Sequence, residues 1–164
     1  METTEILIGI AEIAVALAGF SGVVVVFGSR NAGAWHPGDR LRLSFLIESS
    51  LTAAGFSLLA LLGLFFFPDN SSVAWMITSA LWAAFMCGSL YSSHRRIGKN
   101  LEKHDDIDKT MNRVVTLMFA LLVILQIANA YSLQSFAPLL AALCANLAGA
   151  AMQFARLITS AFHD

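Results

Sequence analysis

Two glutamates, Glu12 and Glu48, lie inside long apolar stretches of the sequence. A charged side chain near the centre of a bilayer costs about 2.5 to 3.5 kcal/mol on insertion scales, so such residues face protein or water rather than lipid. Carboxyl groups at these positions can accept protons or bind cations along a hydrated path. They can also be structural, with Glu12 protonated and Glu48 either neutral or paired with a positive charge.

Five further polar residues occupy the same kind of stretch: Gln126, Asn129, Asn146, Gln153 and Arg156. Counting the helical rise from each predicted helix end gives depths below the outer face of about 6 Å for Asn129, about 10 Å for Glu12 and Gln126, about 14 Å for Asn146, about 20 Å for Glu48, about 24 Å for Gln153 and about 28 Å for Arg156. We call these seven residues the polar ladder. The glutamates are too far apart in depth to share a proton within one subunit, whereas Arg156 is a possible charge partner for Glu48.

The elements that must position the ladder are transmembrane helices. The chain has 164 residues, of which 57% are hydrophobic and 13% charged, against ~25% charged in soluble domains. Apolar length predicts a single all-α domain over 1–164, a polytopic membrane helical bundle with five transmembrane helices at about 6–27, 41–67, 73–93, 114–131 and 137–158. The connection 94–113 is predicted to extend the third and fourth helices. The third helix carries no strongly polar group at depth.

Basic residues predict the orientation of these helices. All ten Lys and Arg residues lie in or beside the first connection, in the third connection or near the end of the fifth helix. Because short cytoplasmic loops collect Lys and Arg, this placement predicts the N-terminus outside and the C-terminus inside. We expect a multi-pass protein of a cytoplasmic or bacterial inner membrane, with connection 94–113 in the cytoplasm.

Small residues predict close helix packing. Gly9, Glu12, Ala16 and Gly19 share one stripe of the first helix, which we interpret as a packed interior face. Ridges of alanine and glycine at four-residue spacing on the first and fifth helices favour contacts within a protomer or between protomers, so we expect a homo-oligomer. Cys87 and Cys144 lie within apolar runs and are interpreted as small buried hydrophobic residues.

No catalytic motif is present, and the protein is not predicted to be an enzyme. None of the four histidines (His36, His94, His104 and His163) lies deep in a predicted helix, so no metal, haem or other cofactor is expected. The basic residues suit anionic lipid headgroups better than nucleic acid.

Three functional hypotheses remain. The first is a small oligomeric, channel-like or transport-associated protein in which the ladder lines a proton or cation path, with Glu12 and Glu48 as its acceptor sites. The alternative is a structural or assembly subunit that packs against other membrane proteins, in which the amide side chains only join helices. A third possibility is lipid or pigment binding.

Overall fold

The computed structural model describes residues 3–28, 37–101 and 109–161, and it describes side chains for 3–23, 39–95 and 113–159. Within these residues the chain forms five α-helices and one short π-helical turn. The helices are α1 (Thr3–Gly28), α2 (Pro37–Phe66), α3 (Ser71–Leu101), α4 (Lys109–Ala128) and α5 (Phe136–Ala161), and the π turn spans Asn129–Leu133 between α4 and α5.

The prediction of an all-α chain with five membrane-spanning helices is confirmed. Each of the five is long and apolar enough to cross a bilayer. As expected, α3 and α4 run beyond the apolar spans, to Leu101 and from Lys109; the middle of connection 94–113 lies outside the described residues. Which ends of the helices face the cytoplasm stays a prediction.

The surface of the helices is apolar, which fits lipid as the solvent. Large side chains such as Phe65 and Leu121 are 77% and 67% exposed, a costly arrangement in water for so many residues. The expectation that Cys87 and Cys144 are buried is wrong, since both are exposed free thiols. The physical reason is that hydrocarbon, unlike water, does not drive a small hydrophobic group into the interior.

Residue contacts divide the chain into two compact units. The first comprises Met1–Leu62 and Leu143–Asp164, and the second comprises Gly63–Ala142. In the first unit α1 meets α5 where the Phe20 and Phe154 rings lie 6.5 Å apart. Its interior is formed by residues such as Leu7, Leu46 and Ala150, all at 0% exposure.

In the second unit the end of α2 turns tightly into α3. The backbone N–H of Phe67 donates to the Gly63 carbonyl at 2.9 Å, and the N–H of Val73 donates to the Asn70 carbonyl at 3.1 Å. A Cβ on Gly63 would lie 3.0 Å from the Cβ of Ala74. Glycine is therefore what allows the two helix ends to approach each other here. Beyond this turn α3 packs along α4 and the π turn.

Candidate functional site

A polar site with several side-chain hydrogen bonds surrounds the π turn between α4 and α5, and it lies wholly within the second unit. Asn129, the first residue of the turn, is fully buried. Its side chain makes three hydrogen bonds: Nδ2 donates to Ser79 Oγ at 2.7 Å and to the Ser135 carbonyl at 3.0 Å, and Oδ1 accepts from the Ser135 N–H at 3.0 Å. Asn129 thereby joins α3 to the turn and fixes the start of α5.

The turn ends at Gln134, whose backbone adopts the left-handed conformation (φ 44°, ψ 44°). Its N–H donates to the Asn129 carbonyl at 2.8 Å. A left-handed residue after a helix stops further winding because it redirects the chain. This turn is the break between the last two predicted spans. Its left-handed position is occupied by a residue other than glycine, so residue type alone does not predict the turn.

Gln126 is the second buried amide of this site. It lies one turn before Asn129 on α4, is at 0% exposure, and donates from Nε2 to the Pro138 carbonyl of α5 at 2.6 Å. Its Oε1 is buried and has no hydrogen-bond partner among the described residues. Gln126 thus ties α4 to the first turn of α5 and retains one unsatisfied acceptor.

The contribution of α3 to this site was missed by the sequence reasoning, which found no strongly polar group at depth in that helix. Ser79 receives the Asn129 amide, and Trp82 is completely buried with an unpartnered indole Nε1 among the described residues. The signal was available: Trp75, Ser79 and Trp82 recur at four- and three-residue spacing and so share one helical face.

In the first unit Glu12 lies on the side of α1 that faces away from the other helices of the chain. It is exposed, and within the described part of the chain it has neither a hydrogen bond nor an ion pair. Ala16 and Gly19 of the same stripe are also exposed. The expectation that this stripe packs in the interior of the protomer is therefore wrong for Glu12, Ala16 and Gly19, whereas Gly9 is half-buried. Helix α1 turns other residues, such as Leu7 and Ala14, toward the core.

The three glycines of α1 whose surroundings are described, Gly9, Gly19 and Gly22, do not pack closely inside the protomer. A Cβ built on Gly9, Gly19 or Gly22 would meet no atom within 4 Å. These positions contrast with Gly63, which a neighbouring helix contacts closely. The outer face of α1 therefore combines a carboxyl group with small residues that leave the backbone open to approach.

The remaining ladder residues also belong to the first unit. Glu48 is half-buried on α2, and its carbonyl accepts a hydrogen bond from Thr52 Oγ1 at 2.7 Å. On α5, Asn146 is 1% exposed, and Gln153 and Arg156 are half-buried. The pairing of Arg156 with Glu48 stays a prediction. Five of the seven ladder residues thus lie in the first unit, and Gln126 and Asn129 lie in the second.

No known protein family matches this chain. Curated proteins and solved structures likewise give no match.

Chemically, the two sets of residues differ. Around the π turn, hydrogen bonds between side chains and backbone hold helices in place. On α1 the Glu12 carboxyl group is accessible and can exchange a proton or bind a cation. Of the histidines, His94 is exposed on α3, and His36, His104 and His163 lie outside the residues whose side chains are described.

Proposed function

We propose that this chain is the protomer of a small homo-oligomeric membrane protein, channel-like or transport-associated, in which Glu12 accepts protons or cations at a path formed between subunits. The observation that carries the proposal is that Glu12 is exposed and unpartnered, among the described residues, within a helix apolar enough to span a membrane. An ionisable group at such a position is by default a functional one.

The exposed side of α1 that carries Glu12, Ala16 and Gly19, here called the Glu12 face, is more stable in contact with another helix or with water than with lipid. A carboxyl group that faces hydrocarbon is penalised, whereas one that faces another helix or water is not. Ala16 and Gly19 flank Glu12 on the exposed face, and small residues let a second helix approach closely in a membrane. In a symmetric oligomer each copy would contribute one Glu12, which places a ring of carboxyl groups around a central axis.

The other residues of the polar ladder are given different roles in the proposal. Glu48, Asn146 and Gln153 belong to the same unit as Glu12 and are further candidates for polar groups along the path. Gln126 and Asn129 use their amide groups to hold the turn between α4 and α5. Those hydrogen bonds favour a structural role for these two residues.

The alternative function is a non-transporting assembly subunit. In that case the exposed Glu12 face contacts another membrane protein rather than a second copy. The structural use of both amides around the π turn favours this alternative, since it assigns a packing role to part of the polar ladder. The two hypotheses differ in whether the purified protein conducts by itself.

Flux measurements in proteoliposomes separate them. Proton and monovalent-cation flux is measured for the wild type, for Glu12→Gln and for Glu5→Gln. Glu5 is the matched control, because it is exposed on the same face of α1 two turns nearer the helix start, about 10 Å from Glu12 along the axis.

The proposal predicts flux in the wild type, loss or altered selectivity in Glu12→Gln, and wild-type flux in Glu5→Gln. Wild-type vesicles that conduct no better than empty ones would support the assembly subunit instead. Unaltered flux in Glu12→Gln would remove Glu12 from the mechanism.

A further inference from the structure

Two buried polar atoms on the packed pair α3 and α4 have no hydrogen-bond partner among the described residues: Trp82 Nε1 and Gln126 Oε1. Both side chains are at 0% exposure. A buried donor or acceptor left unsatisfied costs about 1 to 3 kcal/mol, so native proteins almost always supply a partner, often an ordered water molecule. One of these atoms is a donor and the other an acceptor.

The register of the two helices places Trp82 and Gln126 at the same level along the helix pair. The Asn129–Ser79 hydrogen bond of 2.7 Å fixes one point of contact, and α3 and α4 are consecutive packed helices joined by a short connection, hence antiparallel. Moving three residues on from Ser79 reaches Trp82, and moving three residues back from Asn129 reaches Gln126. Both steps advance about 4.5 Å in the same direction and remain on the same helix faces.

The chemistry of the two atoms specifies their occupant. An indole N–H can only donate. The Gln126 amide is oriented by its 2.6 Å hydrogen bond from Nε2 to the Pro138 carbonyl, so Oε1 is the atom that remains as acceptor. An occupant must therefore accept from Trp82 and donate to Gln126. A metal cation is repelled by the N–H, an anion is repelled by the amide oxygen, and a water molecule satisfies both.

We propose that a single water molecule is bound between α3 and α4, where it accepts from Trp82 Nε1–H and donates to Gln126 Oε1. The inference is independent of the proposed transport function, since it concerns only the second unit. The water continues the hydrogen-bonded set that begins with Pro138 and Gln126, and it anchors Trp82 in the interior of a helix pair whose outer surface faces lipid.

Nuclear magnetic resonance of the full-length protein, with ¹⁵N-labelled tryptophan and embedded in lipid nanodiscs, tests this proposal. The Trp82 indole signal is assigned by its loss in Trp82→Phe. The expected result is a magnetisation-transfer cross peak between the Trp82 indole proton and water in the wild type. The cross peak should disappear in Gln126→Met, which keeps a similar side-chain length but removes the acceptor.

Three results would overturn the proposal. The first is a wild-type indole proton with no water cross peak, which decides the matter even where Gln126→Met does not fold. The second is a through-bond coupling, in protein that also carries ¹³C-labelled glutamine, between the Trp82 indole nitrogen and the Gln126 side-chain carbonyl carbon, because it would show a direct hydrogen bond. The third is a cross peak that persists unchanged in Gln126→Met, because the water would then not bridge the two residues.

Discussion

Replacing Asn129 by leucine should destabilise the protein by about 2 kcal/mol. Leucine keeps the branching of asparagine but forms none of the three hydrogen bonds to Ser79 and Ser135. Hydrogen bonds between side chains in membrane proteins average about 0.6 kcal/mol in double-mutant cycles, and three of that size give the estimate. The Ser135 N–H, which directly precedes α5, also loses its acceptor.

The assay is equilibrium unfolding in lipid–detergent bicelles, for example by steric trapping. Ser132→Ala is the matched control: its hydroxyl donates to the Ala128 carbonyl at 2.9 Å near the same turn but is exposed. Its loss should change the free energy of unfolding by less than about 0.5 kcal/mol. A double-mutant cycle of Asn129→Leu with Ser79→Ala should give a coupling of about 0.6 kcal/mol for the single bond between them.

Two results would refute the reasoning. If Asn129→Leu were as stable as the wild type, the hydrogen bonds around the π turn would not hold the last two helices. If the cycle gave no coupling, Asn129 and Ser79 would not be bonded in the membrane. The second result would also remove the register on which the bound water between α3 and α4 depends.

Two further predictions concern packing and topology. Gly63→Ala should destabilise the protein by about 1 to 3 kcal/mol, because the new methyl group meets Ala74. Gly88→Ala is the control: no atom lies within 4 Å of its new Cβ, so it should be neutral or slightly stabilising in the same unfolding assay. Equal stability of the two variants would contradict the close approach of the end of α2 to α3. Cysteines introduced singly at Ser71 and His94, near opposite ends of α3, should react with a membrane-impermeant reagent added on opposite sides of the membrane, with position 71 labelled from the outside. Labelling of both positions from one side would show that the orientation inferred from the basic residues is wrong.

Helix number and position could be predicted from the sequence because lipid imposes a simple rule. Each span needs about 20 apolar residues, and its backbone must bond internally, so apolar length and breaks such as Pro68 locate the helices. The ends of α3 and α4 are less predictable from hydropathy, since these helices continue into polar sequence. There the helix is limited by backbone hydrogen bonding and not by the thickness of the hydrocarbon.

Which face of each helix points inward could not be predicted reliably. On α1, small and polar residues were assigned to the interior, yet Glu12 and Gly19 are exposed. The inference fails because small residues mark close contact with any helix, whether in the same chain or in another. Hydrophobicity does not identify the inward face either, since core and lipid-facing surfaces are equally apolar.

The polar contacts around the π turn were only partly predictable. Gln126 and Asn129 stand out because amides are rare in apolar runs. Their partners do not stand out, since three are backbone groups and one is a serine hydroxyl. The backbone groups are the Pro138 and Ser135 carbonyls and the Ser135 N–H, and the hydroxyl is that of Ser79. Sequence position alone does not show which carbonyl is within reach, because that depends on how the chain reverses direction.

Disulfide cross-linking in membranes tests most directly whether the Glu12 face of α1 meets a second copy. Cys87 and Cys144, both exposed, are first replaced by alanine, and single cysteines are then introduced at Ala16, on the Glu12 stripe, or at Leu121, an exposed position on α4. The account predicts a covalent dimer that forms faster through position 16 than through position 121. Equal rates at the two positions, or no dimer through position 16, would contradict it.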